Sequence, residues 1–273
     1  MSKKLDLSHL PRSIRRRFSD RPTVEIDHLA EMGPFVSGSL SGELTPLSDY
    51  KGVLRWSERE LTYLGEAGAE FVTRHKLTLV HPDETKSLEL YTSEVEADTR
   101  KLWKDVACAL HLPAMYETGD GIVSRAPEDL EKSLRQLAME GKISVDFDVQ
   151  APHPEGIVLE VARGHQRVNF GRIFFKRCIE ITPEGICHSY RKTPFGTFFL
   201  KVIHLAKLKS LDRYDSIPSK FWFYFLAGGW ISGHGAIVEM EFDSARISIG
   251  GLSDEQSHWL KKFILAATIE VCR

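Results

Sequence analysis

The sequence predicts an α+β fold made of two strand-rich antiparallel units, each closed by a C-terminal helix. Three observations carry this. Short runs of alternating apolar and polar residues, separated by turn-forming residues, fill most of the chain from Gly52 onward. Two longer stretches, about 94–110 and 254–271, place apolar residues at helical spacing. Each is introduced by a serine with Glu or Gln three positions later, Ser93-x-x-Glu96 and Ser253-x-x-Gln256. In that pattern the hydroxyl accepts from an early amide and the longer side chain reaches back to the serine N–H.

The elements follow in order. Residues 1–22 carry Lys3, Lys4, Arg12, Arg15, Arg16, Arg17 and Arg21 against Asp6 and Asp20, a local charge of +5. Leu7, Leu10, Ile14 and Phe18 share a helical stripe within the same segment. The stretch 33–49 is rich in Gly, Ser and Pro and reads as a linker or meandering loop. Strands are expected at 52–56, 60–64, 71–80 and 86–92, before the helix at 94–110, where Leu102, Val106 and Leu110 are apolar and Pro113 forbids continuation. A second helix is expected over 127–140, with Pro127 in its first turn and Gly141 just past its end. Strands follow at 142–149, 156–162, 174–182, 185–192, 198–203, 220–227, 236–242 and 245–249. Leu260, Phe263, Ile264, Ala267 and Val271 give the last helix a broad apolar face. The resulting division is a basic segment and linker (1–49), a first strand-plus-helix unit (50–115), a connector (116–165) and a second unit (166–273).

The two halves share an order of elements: strands, a capping serine, a long helix. Trp103 and Phe263 both stand ten residues past the serine, and Ala107 and Ala267 fourteen past it. The second half, through IEITPEGICHSYRK, PFGTFFLKVIHLAKLKSL and ISIGGLSDEQSHWLKKFILAA, resembles a bacterial pleckstrin-homology-like (PH-like) domain. The first half, with SLELYTS, LHLP and DLEKSLRQLAMEGKISVDFD, is similar to segments of uncharacterised bacterial proteins that combine such units. That resemblance implies an adaptor that binds lipid headgroups, peptides or other proteins.

Composition narrows the function classes. The 273 residues hold 36 Lys+Arg against 38 Asp+Glu, with 42% hydrophobic and 27% charged residues, ordinary for a globular protein. A net charge of −2 argues against a global polyanion-binding surface and makes nucleic acid an unlikely partner. The longest apolar run, 221–231, is eleven residues and interrupted by Gly228-Gly229, against about 20 for a spanning helix. No transmembrane segment or signal peptide is expected, and the expected location is cytoplasmic. Cys108, Cys178, Cys187 and Cys272 form no C-x-x-C pair, which favours reduced thiols. Cys108 is expected in a core, and Cys178 and Cys187 are placed on adjacent strands where they could face each other.

Searches for chemistry return little. Gly228-Gly229-x-x-x-Gly233-x-Gly235 matches no dinucleotide fingerprint. Gly38-Ser39-Leu40-Ser41-Gly42 has leucine where a nucleophile elbow needs serine. Eleven histidines include no H-E-x-x-H pair, so neither metal nor cofactor is expected. Asp146 and Asp148 share one face of an expected strand and read as its solvated side. Two basic groups remain: Lys3, Lys4, Arg12, Arg15, Arg16, Arg17 and Arg21, and Lys207, Lys209 and Arg213 on a strand leading into a loop. In the first, the arginines would lie on an anionic membrane while Leu7, Leu10, Ile14 and Phe18 dip into it, or meet RNA or an acidic protein; otherwise the segment is a disordered, solvated tail or a helix docked on its own domain. In the PH-like fold it resembles, the second would rim a headgroup or peptide site; otherwise these are ordinary surface cations. The functional expectation is a non-enzymatic binding or adaptor protein, peripheral at the inner membrane face or attached to a protein partner. The alternatives are an enzyme whose site is assembled from dispersed residues, and a structural subunit with an apolar strip near 195–200.

Overall fold

A computed structural model describes residues 5–18, 22–26, 29–32, 36–39, 42–63, 69–148, 152–172, 175–193, 196–216, 235–243 and 246–270. The expected strand at 220–227, the glycine turn after it, and Lys3, Lys4 and Arg21 lie outside these residues. The chain is α+β, with mostly antiparallel sheets and few helices. It divides into two compact units, residues 1–117 with 121–130, and residues 118–120 with 131–273.

The first unit opens with the single-turn helix α1 (Arg12–Arg15). Strands β1 (Thr23–Ile26), β2 (Leu29–Met32), β3 (Val36–Ser39) and β4 (Glu43–Pro46) follow, so the Gly/Ser/Pro-rich stretch expected as a loop contains pairing strands. β1 pairs antiparallel with β4, and β2 with β3. Next come β5 (Gly52–Tyr63), β6 (Ala69–Val80), β7 (Leu88–Ser93), helix α2 (Glu96–Leu110), and strands β8 (Ala114–Thr118) and β9 (Gly121–Arg125). They form one sheet in the order β7-β6-β5-β8-β9, in which β8 lies parallel to β5. The two strands expected at 52–56 and 60–64 are one, because Ser57-Glu58-Arg59 pairs through with His75, Arg74 and Thr73 instead of turning. The unit is also not closed by its helix, since β8 and β9 follow α2.

Helix α2 covers the sheet with Trp103, Val106, Ala107 and Leu110, all buried against Val53, Leu77 and Leu79. The Trp103 Nε1–H donates to the Val53 carbonyl at 2.8 Å, which fixes the helix to the sheet's first strand. Ser93 does not cap it. The Ser93 Oγ accepts from the Val95 amide at 3.0 Å, a local turn, and the helix starts one residue later. His111 ends it in the left-handed region (φ 55°), with the Leu112 amide returning to the Ala107 carbonyl. Cys108 points the other way and is exposed, contrary to expectation, because the buried stripe runs through positions 103, 106, 107 and 110.

The helix expected over 127–140 resolves differently. A 3-10 turn at Pro127–Asp129 belongs to the first unit, and α3, in the second, spans only Leu134–Met139. Ser133 and Gln136 form a complete capping box there, with Gln136 N–H donating to Ser133 Oγ at 3.2 Å and Ser133 N–H to Gln136 Oε1 at 2.8 Å. The strand expected at 142–149 joins no sheet among the described residues. It keeps its alternation, with Asp146 and Asp148 exposed and Phe147 packed edge-on against Trp259 and Phe263.

A five-stranded antiparallel meander follows: β10 (Ile157–Ala162), β11 (His165–Arg172), β12 (Phe175–Ile181), β13 (Ile186–Thr193) and β14 (Gly196–His204). Then β15 (Ser210–Ser216), β16 (Gly235–Glu241) and β17 (Arg246–Leu252) form a three-stranded sheet, and α4 (Asp254–Glu270) ends the unit. The inward face of the meander carries Ile157, Val168, Phe170, Ile179, Ile181 and Cys187. These join Val238, Met240, Ile249 and the α4 residues Trp259, Leu260, Phe263, Ile264 and Ala267 in one core. A fully buried Phe263 contributes roughly 2–3 kcal/mol of transfer free energy alone. Cys178 is registered opposite Tyr190 and Cys187 opposite Ile181, so alternation sends the two thiols to opposite faces and they do not face each other.

Candidate functional site

The N-terminal stripe exists, and it faces the protein. Leu10, Ile14 and Phe18 are 2%, 0% and 8% exposed and belong to the core of the first unit, with Leu5 and Leu7 packed against it. Pro11 starts the helical turn, its carbonyl accepting from the amides of Ile14 and Arg15 at 3.1 and 3.0 Å. Bonds from Arg17 N–H to the Ile14 carbonyl and Phe18 N–H to the Arg15 carbonyl tighten the exit. Phe18 then bridges Val24 of β1, and the Glu25 amide donates to the Arg17 carbonyl at 2.8 Å. The docked alternative is therefore the arrangement found. Three of the four side chains expected to dip into a bilayer are already buried.

Docking the apolar stripe turns the guanidinium groups outward. Arg12, Arg15 and Arg16 are exposed and Arg17 half-buried. No carboxylate among the described residues pairs with any of the four. Elsewhere in this unit cations are held: Lys76 by Glu58 at 2.6 Å, Lys86 by Glu43 at 3.1 Å, Arg100 by Glu96 at 2.9 Å. Arg55 reaches Glu96 at 3.2 Å and lies over the Trp103 ring at 5.4 Å from its centroid. The arginines of α1 and of the turn that follows it are thus, among the described residues, charges without a carboxylate partner on a backbone anchored by the core.

The second basic group does not form an open rim. Arg213, on β15, is 6% exposed. Its Nη2 lies 2.9 Å from Asp215 and also contacts Asp254, its Nη1 is 3.4 Å from Asp120, and its Nε donates to Ser257 Oγ at 3.0 Å. Asp120 is held in turn by Lys261 at 2.7 Å and by His258 Nε2 at 3.2 Å. Burial works against the Asp120 carboxylate, but Lys261, His258 and Arg213 outweigh it and lower its pKa. Lys209 is bound by Asp243 at 2.7 Å and by Glu131. Its burial opposes the charge, and the two carboxylates prevail and raise its pKa. Only Lys207 of the three is exposed. The strand expected to lead into a loop instead leads, through a 3-10 turn at Leu205–Lys207, into another strand, which draws Arg213 inside.

A further polar cluster, which sequence reasoning missed, lies on the outer face of the meander. Glu180 gathers Arg167 at 3.2 Å, His165 Nδ1 at 3.3 Å and the Tyr190 hydroxyl at 3.5 Å. Desolvation pushes its pKa up, and Arg167 and His165 bring it below the ordinary value. Cross-strand register explains the cluster, because Arg167 is directly opposite Glu180. A small cavity of about 170 Å³, lined by Gly164, Gln166, Ile181, Thr182, Pro183, Ala267 and Glu270, lies in the same unit. That is below the roughly 300 Å³ at which small-molecule pockets begin. Among the described residues no group of His, Cys, Asp and Glu could hold a metal ion, and no helix is long and apolar enough to cross a membrane.

What the fold and this surface define is a class: an α+β protein of largely antiparallel sheets with a terminal helix and an anchored cationic turn at its start. Comparison takes it no further, as no family model, curated protein or solved structure matches the chain.

Proposed function

We propose that this chain is a non-enzymatic binding or adaptor protein that attaches reversibly to an anionic membrane surface through α1. The observation that carries the reading is the outward set Arg12, Arg15 and Arg16 on a turn whose Ile14 is fully buried. With the apolar stripe engaged in the core, attraction is electrostatic and needs no insertion. Each exposed arginine near an anionic bilayer contributes about 1 kcal/mol, so three give about 3 kcal/mol, enough for peripheral and salt-sensitive binding. The order of elements in the second unit, eight strands then α4, supports a PH-like reading there, whereas in the first unit β8 and β9 follow α2. On this reading the protein acts at the inner face of the membrane.

Co-sedimentation with phosphatidylserine-containing and pure phosphatidylcholine vesicles tests this. The protein should pellet with the first only, and Arg12→Gln/Arg15→Gln/Arg16→Gln should not pellet. Equal pelleting of both proteins, or of neither, contradicts the proposal. Deleting residues 1–22 would be the wrong comparison, because it removes Leu10, Ile14 and Phe18 from the core.

A further inference from the structure

The outward face of α1 and its exit residue Arg16 carries an arrangement as well as a net charge. Bonds from the Arg15 amide to the Pro11 carbonyl at 3.0 Å and from the Arg16 amide to the Arg12 carbonyl at 3.1 Å keep the winding helical through Arg16. Arg12 therefore has Arg15 and Arg16 as its neighbours at i+3 and i+4, with roughly 5–6 Å between Cβ atoms. At 3.6 residues per turn the three fall within an arc of about 100°, and Ile14 lies on the far side. Ile14 is fully buried, and Leu10 and Phe18 hold the chain to the core on either side of it. Three like charges at these spacings repel one another. The anchored backbone nevertheless keeps them together, and no carboxylate among the described residues pairs with any of them.

We infer that the lipid this face selects is one whose headgroup is a phosphomonoester, as in phosphatidic acid, held by the three guanidinium forks together. The inference rests on the membrane reading above and narrows it. Charge complementarity sets the occupant. A phosphomonoester carries about −1.5 to −2 charges near pH 7 and three acceptor oxygens. A guanidinium is a planar fork whose N–H groups match two phosphate oxygens at once, which a lysine ammonium does not. Phosphatidylserine offers a phosphodiester and a carboxylate, with its own ammonium beside them. A dianion shared among the three arginines offsets their mutual repulsion, whereas a single negative charge leaves most of it in place. With Leu10, Ile14 and Phe18 engaged in the core, selection has to come from the headgroup and not from the acyl chains.

Partition of the full chain onto phosphatidylcholine vesicles containing either phosphatidylserine or phosphatidic acid, adjusted to equal zeta potential at low salt, tests the inference. Binding to the phosphatidic acid vesicles should be at least about fivefold tighter, the gain of about one further charge. Arg12→Lys/Arg15→Lys/Arg16→Lys keeps the charge and removes the forks, so its ratio of the two partition coefficients should fall to about one. Glycerol 3-phosphate at about 1 mM and constant ionic strength should not displace the protein from phosphatidic acid vesicles, since a single soluble headgroup lacks the density of a bilayer surface. Displacement would overturn the lipid as occupant in favour of a soluble phosphomonoester. Binding to neither vesicle would refute the membrane reading itself. Equal binding to both, or a preference that survives the lysine substitutions, would leave that reading standing and overturn this inference.

Discussion

Arg213→Leu removes the cation around which Asp120, Asp215, Asp254 and Ser257 are gathered. Breaking a buried ion pair by deleting one partner costs about 3–5 kcal/mol when the other charge is stranded. Here the stranding is partial. Asp215 and Asp254 have side chains 74% and 69% exposed and rehydrate, while Asp120, at 26%, keeps Lys261 at 2.7 Å. What is lost is the charge-assisted contact with Asp120, the bond to Ser257 and the burial of a satisfied guanidinium, together about 2–3 kcal/mol. For a domain of this size each kcal/mol moves Tm by about 2–4 °C, so calorimetry should show the second unit melting about 4–12 °C lower. Vesicle binding should be unchanged at a temperature where the variant is folded. An unaltered Tm, or lost binding at full stability, would refute the reasoning and return Arg213 to a ligand-facing role.

Further outcomes follow from the same geometry. Ile14→Ala empties a fully buried position and should destabilise the first unit by about 2–4 kcal/mol in urea unfolding, whereas a helix held only by its own backbone would be indifferent. Asp120 has its folded pKa lowered, so its contribution is present above the unfolded value near 3.9 and is lost as pH falls through the folded value. Asp120→Asn should flatten the decline in second-unit stability below about pH 4, and an unchanged pH profile would contradict this. Burial pushes the Cys187 thiol up to about 12, and Cys178, on the neighbouring strand, is fully buried. Native labelling at pH 8 followed by peptide mapping should therefore mark Cys108 and spare both; equal labelling of Cys187 would show the core open on that timescale.

The elements best legible in the sequence were those whose local signals agreed with their tertiary role. The α4 helix begins at the expected Ser253-x-x-Gln256, and both reciprocal bonds form, at 3.2 and 2.9 Å. The same pattern at Ser93 misled, because the chain turns once more before α2. Strand β11 escaped notice because its hairpin turn is Arg163-Gly164, with φ 53° and 79°. A two-residue turn of that kind needs positive φ twice, and arginine is not the residue usually read as supplying it. Within 127–140 the signal that ends one element and starts the next, Ser133-x-x-Gln136, was visible but subordinate to Pro127.

The site was half legible. Leu10, Ile14 and Phe18 are buried together although only Arg12–Arg15 is helical, and periodicity alone does not say whether such a stripe meets lipid or core. The Arg213 cluster was not readable at all. Asp120, Arg213 and Lys261 are brought together from positions 93 and 141 residues apart, a distance over which only the fold supplies information.

The account rests on charges displayed by α1, and a stepwise neutralisation series measures them most directly. Partition onto vesicles of fixed phosphatidylserine content at low salt would be determined with none, one, two and three of Arg12, Arg15 and Arg16 changed to Gln. Each step should reduce the partition coefficient by about fivefold, the equivalent of about 1 kcal/mol, and the whole dependence should collapse at high ionic strength. A partition coefficient insensitive to all three substitutions, with both units still folded, would contradict the central claim.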